Sequence, residues 1–196
     1  TLMGGPEGLE KHLDNLFLAS TQTTGRDQAD ITGLIGQYAH GNEPSHHMAY
    51  MYNFVKRADK TQVMIHKILT EQYQNAPDGI SGNEDCGQMS AWYVLSSLGF
   101  YSMTPGNNQY IIGTPLFPKA TINLENGKQF TVVAHNISKA NKYIKSVTLN
   151  GKSYHKSYLE HQDIVNGGIL VFEMSSKPQD WGRSQEAVPV TEIAMG

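Results

Sequence analysis

Two short stretches place oxygen-bearing and titratable side chains in turns just ahead of amphipathic helices. The first is HGNEPSHH at 40–47, with His40, Asn42, Glu43, His46 and His47; the second is GNEDCGQ at 82–88, with Asn83, Glu84, Asp85, Cys86 and Gln88. Carboxylates with amides beside them suit two tasks. They hold a hard cation such as calcium, which takes about six to eight oxygens, and a carboxylate can act as general base on a water. Zinc fits less well, because Cys86 and the histidines lack the paired spacing of a structural zinc site. Each residue also has a local alternative. Asn83 or Asp85 can cap the following helix, with Glu84 favourable near its positive end. His46 and His47 can be solvated or satisfied in a core, and Cys86 can be a small apolar residue. Tyr38, His40, Tyr50, Tyr52 and Trp92 offer flat faces to a sugar ring or to their neighbours, and periodicity does not separate these two uses.

The elements that position these turns are legible from spacing. Leu9, Leu13, Leu16 and Phe17 recur at three and four, predicting a helix over 6–19 that starts at Pro6. A polar stretch follows over 20–30. Met48, Met51, Tyr52 and Val55 predict a second helix from near Pro44. Asp59 is the expected cap of a third, through Val63, Ile65, Ile68, Leu69 and Tyr73, which the turn residues 75–79 close. The fourth is expected over 86–98, with Met89, Trp92, Tyr93 and Leu95 apolar and Gly99 ending it. Past Tyr101 the runs 120–124, 129–134, 144–149 and 169–172 are short and β-branched. Asn126-Gly127 and Asn150-Gly151 are hairpin dipeptides, so the expected assembly is an antiparallel sheet. The fold class is α+β: helices over 1–104, strands over 105–175 and an irregular tail over 176–196.

Composition sets the bounds. Fifteen basic and eighteen acidic residues give a net charge of −3, so there is no broad positive field for nucleic acid. Apolar residues at 39% and charged residues at 17% suit a globular chain, and no run is apolar for long enough to predict a membrane span. The single cysteine excludes an internal disulfide. The start Thr-Leu-Met-Gly-Gly has no initiator methionine, and we expect a piece of a longer polypeptide.

The strings ADITGLIGQYAHGNEPSHHMAYMYNF and DGISGNEDCGQMSAWYVLSSLGFYSMTPGNNQYIIGTPLF closely resemble the carboxyl-terminal catalytic region of the calcium-dependent α-mannosidases of glycoside hydrolase family 92, with the likeness running over about 4–173. The resemblance implies the last hairpins of an (α/α)6 helical barrel followed by a small antiparallel sheet. It also implies an inverting exo-enzyme acting on terminal α-linked mannose of glycans. Asp85 matches the family's base in the G-x-E-D motif, and Asn42 and Glu43 match a turn at its calcium site. Asn83, Glu84, His46, His47 and Gln88 are the expected sugar contacts. The general acid is a glutamate upstream of the stretch present here, so this chain alone is expected to be inactive. Its expected partners are mannose-containing glycans and the rest of the same polypeptide, with an amino-terminal β-sandwich; the expected location is periplasmic, cell-surface or secreted. Asn83 stands where many relatives have aspartate and Cys86 where they have glycine, which removes one negative charge beside Asp85. The alternatives are a non-catalytic carbohydrate-binding module or another (α/α)6-barrel glycosidase or phosphorylase.

Overall fold

A computed structural model describes residues 2–25, 28 and 31–191. Part of the polar stretch 20–30 and the last five residues of the tail therefore lie outside the described residues. Helix α1, Gly5–Leu18, begins where the sequence places a proline and a glutamate, and it buries Leu13 and Phe17. A two-stranded hairpin follows, β1 Leu34–Ile35 and β2 Tyr38–Ala39. Chain 43–55 is apolar at helical spacing but winds more tightly than expected, as the 3₁₀ segments Glu43–Ser45 and Met48–Val55. The second of these stops at Lys56, which adopts a left-handed backbone.

Helix α2 spans Ala58–Glu71. Asp59, expected as its cap, lies inside the first turn and takes both Nε and Nη2 of Arg57, at 3.0 and 2.9 Å. Arg57 also reaches Glu10, and Lys60 reaches Asp14, so ion pairs tie α2 to α1. Helix α3, Gln88–Ser97, starts two residues later than expected because Asp85, Cys86 and Gly87 are all left-handed. Gly99, also left-handed, ends it as anticipated.

The strands form two sheets. In the smaller, β3 Phe100–Tyr101, β4 Gln109–Ile112 and β9 Tyr158–Glu160 pair antiparallel in the order β3-β4-β9. The larger contains β5 Lys119–Asn123, β6 Gln129–His135, β7 Tyr143–Leu149, β8 Lys152–Ser153 and β10 Gly168–Ser175, in the order β5-β6-β10-β7-β8. Both predicted hairpins are present, at Asn126-Gly127 and Asn150-Gly151. The sheet is nonetheless mixed rather than antiparallel, because β10, which follows the short helix α4 (His161–Val165), inserts between β6 and β7 and runs parallel to β6. Alternate residues of β10, Leu170, Phe172 and Met174, enter the core.

Two apolar clusters result, one among the helices and one under the large sheet. Asn53, fully buried, joins them by donating to the carbonyls of Ile112 at 2.8 Å and Ser157 at 3.0 Å, and Gln62 accepts from the Ile144 N–H. Residues 176–191 have little regular structure beyond the 3₁₀ turn Gln185–Ala187, yet they are pinned: Trp181 is buried and donates to the Tyr154 carbonyl, and Ser157 donates twice to Ala187 O.

Candidate functional site

The turns at 40–47 and 82–88 meet through glycines. Gly82 is left-handed at φ +80°, and a Cβ there would lie 2.9 Å from Gly41 O and 3.0 Å from Gly41 Cα; one on Gly41 would lie 2.1 Å from Thr32 Oγ1. Two backbones can touch here only because neither residue has a side chain.

Within the second turn Asp85 is exposed, at φ +45°. It does not cap α3: the cap position is Gly87, with no side-chain hydrogen bond. Glu84 takes that part, accepting from the backbone N–H and the hydroxyl of Ser90 at 3.0 and 2.9 Å. Both Glu84 oxygens thus serve the start of the helix, while the Asp85 side chain is exposed and, among the described residues, only its backbone oxygen is engaged, by Gln88 N–H at 3.2 Å. Asp85 and Cys86 each cost about 1–2 kcal/mol in left-handed backbone. Strain of this kind collects where a structure must hold a side chain in one place. Asn83 and Cys86 are exposed as well.

In the first turn Asn42 and Glu43 are half-buried. The Asn42 carbonyl accepts from Ser45 Oγ at 2.7 Å, and Glu43 holds Oε1 out of solvent. His47 is half-buried at the head of the second 3₁₀ segment. His46, by contrast, is 2% exposed; its Nε2 donates to His40 O at 3.0 Å, and its Nδ1 faces Gln88 Nε2 at 3.4 Å. Gln88 also donates to the Tyr101 hydroxyl at 3.2 Å. Of the expected sugar contacts, then, the structure brings His46 and Gln88 together beneath the turns.

The floor under both turns is aromatic. Tyr38, His40, Tyr50, Tyr52 and Trp92 are all buried, so they pack and do not face a sugar within this chain. His40 stacks on His46 at 4.7 Å and meets Trp92 edge-on at 4.5 Å, and Trp92 Nε1 donates to His46 O. Burial, with His46 adding, lowers the His40 pKa to about 3, and burial likewise lowers that of His46. Burial raises the phenols of Tyr38, Tyr50 and Tyr73, so this layer is neutral around pH 7. Sequence reading gave no site role to Thr32, Ser90 or Tyr101 and took Tyr73 only as an apolar residue of the third helix; their places in the fold reveal them.

Among the described residues no three His, Cys, Asp or Glu side chains are grouped to hold a metal. Asn42 and Glu43 offer the oxygen chemistry that calcium prefers, but as two side chains they supply only part of its shell. A cleft of about 550 Å³ beside the second turn is lined by Tyr73, Gly79, Glu84, Ser90, Tyr93 and Val94 and excludes Asp85.

The model of the glycosyl hydrolase family 92 catalytic domain matches residues 1–176. A family GH92 α-mannosidase from Bacteroides thetaiotaomicron, solved in complex with mannoimidazole, is 46% identical, with a TM-score of 0.92 over 96% of this chain and 25% of its own. An inverting GH92 mannosidase from the same organism is 36% identical, with a TM-score of 0.82 over 96% of this chain and 27% of its own. An uncharacterized secreted glycosidase of Arthroderma benhamiae is 32% identical over 152 residues, 76% of this chain and 20% of that protein. The chain thus spans about a quarter of the length of its solved relatives and a fifth of the fungal one. It belongs to glycoside hydrolase family 92.

Proposed function

We propose that this chain is the carboxyl-terminal part of the catalytic region of an exo-α-mannosidase, in which Asp85 removes the proton from the water that attacks the anomeric carbon. The observation that carries this reading is the contrast within one motif: Glu84 spends both oxygens on Ser90, while Asp85, next to it, is held exposed on strained backbone in the turn whose Gly82 packs against Gly41. A general base needs a carboxylate oxygen that is open to accept from the attacking water. The inverting relative supports the stereochemical course, in which base and acid stand roughly 6.5–9.5 Å apart to admit a water. The acid, a glutamate, then comes from polypeptide outside these 196 residues, as do the remaining helices of an (α/α)6 barrel. Exposed apolar side chains on the helices, Leu18 at 81% and Val94 at 56%, agree with further polypeptide packing there.

Asn42 and Glu43 would hold calcium, with its other oxygens coming from water, sugar and the rest of the enzyme. The ion would assist distortion of the mannose ring towards the transition state. The protein's own part is to orient Asp85 under the ring and to close the two turns against each other. The substrates are glycans ending in α-linked mannose, and the location is extracytoplasmic, in keeping with the secreted fungal relative.

Asp85→Ala in the complete enzyme tests the reading. Turnover is expected to fall by about a thousandfold or more, within the range of a lost general base and its water, while affinity for a mannose-mimicking inhibitor is kept. Unchanged turnover refutes the base assignment; binding with no turnover even in the parent protein would instead indicate a carbohydrate-binding module.

A further inference from the structure

Beneath the exposed turns lies a buried imidazole that the proposed chemistry does not use. His40 is 0% exposed and so cannot touch a sugar, yet its ring meets Tyr38, His46, Tyr73 and Trp92, which lie on or beside the segments around the two turns. Its Nδ1 lies 2.8 Å from the Tyr38 hydroxyl on β2, and its Nε2 lies 2.7 Å from the hydroxyl of Tyr73, just past α2. Tyr73 donates onward to the carbonyl of Met89, in the first turn of α3, at 3.2 Å. The backbone oxygen of His40 holds His46, whose ring faces Gln88, whose own N–H holds Asp85 O.

The proton order follows from valence. A carbonyl only accepts, so the Tyr73 hydroxyl donates to Met89 O and accepts from His40 Nε2–H. The neutral ring then accepts at Nδ1 from the Tyr38 hydroxyl. One tautomer of one ring serves both phenols, and a side chain lacking the two nitrogens takes an acceptor from Tyr38 and a donor from Tyr73, which keep Ser45 and the Met89 carbonyl as their other partners.

We propose that His40 is a positioning residue for Asp85: by bridging Tyr38 and Tyr73 it sets the start of α3 relative to the turn at 40–47, and so places a carboxylate that it never touches. The proposal rests on the reading of Asp85 as base. If it is right, damage at His40 slows the chemical step and leaves sugar binding largely alone, because misplacement of a reacting group costs rate first.

The test compares His40→Phe, which keeps volume and loses both nitrogens, with His40→Gln, which keeps an N–H for Tyr73, and Tyr73→Phe, which deletes one oxygen. All are made in the complete enzyme, and kcat and KM are measured separately. For His40→Phe, kcat is expected to fall about tenfold or more with KM within roughly threefold, and His40→Gln to recover much of the loss. Tyr73→Phe is expected to lower kcat less, and the double variant His40→Phe/Tyr73→Phe to be no slower than His40→Phe alone, since both act through one network. Wild-type kcat in His40→Phe, a rise in KM alone, or losses that multiply in the double variant would each overturn the proposal. Should His40→Phe fail to fold, Tyr73→Phe decides: an unchanged kcat there overturns it. Asp85→Asn measured alongside separates the two ideas. Turnover retained in that variant overturns both, whereas turnover lost there with His40→Phe unimpaired overturns the positioning role alone.

Discussion

Replacing Gly82 by alanine probes the contact between the two turns, and Gly87→Ala supplies its internal reference. Both glycines are left-handed, at φ +80° and φ +91°, and they flank Asp85 in sequence. An alanine at either position costs about 1–2 kcal/mol in backbone strain. The environments differ. At Gly87 the new Cβ has nothing within 4 Å, whereas at Gly82 it lies 2.9 Å from the Gly41 carbonyl oxygen and 3.0 Å from its Cα, both backbone atoms that no rotamer change can move. Forcing such a contact costs about 1–3 kcal/mol more. Gly82→Ala should therefore destabilise by about 2–5 kcal/mol and Gly87→Ala by about 1–2. Denaturant unfolding of the two variants reads the difference directly. Where Gly82→Ala remains folded, the turns must part by a few tenths of an ångström, and kcat should drop by about tenfold or more. Equal stability of the two alanine variants would refute the claim that backbone contact sets the spacing of the turns.

Three further outcomes follow from the same structure. Burial pushes the Asp59 carboxyl up, but the hydrogen bonds and charge of Arg57, with Arg183 adding, outweigh it and leave the pKa below the ordinary value. The unfolded chain then binds the proton more readily, so this contribution is complete above about pH 4 and is lost as pH falls through the lower folded value. Asp59→Asn should cost about 1–3 kcal/mol near pH 7, with a gap to the parent that narrows in acid; a gap in urea midpoints that is constant with pH would contradict this. Trp181→Ala, which empties a buried site and removes the bond to Tyr154 O, should cost about 3–5 kcal/mol, whereas a loose tail would lose almost nothing in thermal unfolding. Removing calcium with a chelator should suppress mannose release by the complete enzyme and calcium should restore it, while activity indifferent to chelation would remove Asn42 and Glu43 from the metal role.

Local chemistry made much of this fold legible in the sequence. Apolar spacing located α1 and α2, because one face of each is buried along its length, and Asn-Gly dipeptides located two hairpins because few residues adopt a left-handed backbone cheaply. Longer-range choices stayed hidden. Nothing in β10 announces that it will lie parallel to β6, since a buried strand alternates in the same way beside either partner. Spacing of apolar residues at 48–55 does not tell a 3₁₀ coil from an α-helix over two turns. The late start of α3 was missed for a different reason: Asp85 and Cys86 take a conformation that their residue types disfavour. Of the site, the two turns and their carboxylates stood out by composition, and the division of labour between Glu84 and Asp85 did not, because it depends on where Ser90 sits. His40 stood out by its place in the first turn, but its partners Tyr73 and Tyr101 gave no signal of a site, since aromatic residues beside apolar runs are ordinarily core, and here both pack partly buried against the helical cluster.

The central claim is that Asp85 acts on water beneath a terminal mannose. A crystal structure of the complete enzyme with a mannose-mimicking inhibitor tests it most directly. The account predicts a carboxylate oxygen of Asp85 at about 2.6–3.2 Å from a water on the face of the anomeric carbon opposite the leaving group. An Asp85 side chain turned away from the sugar, with Glu84 or another carboxylate on that water, would contradict it.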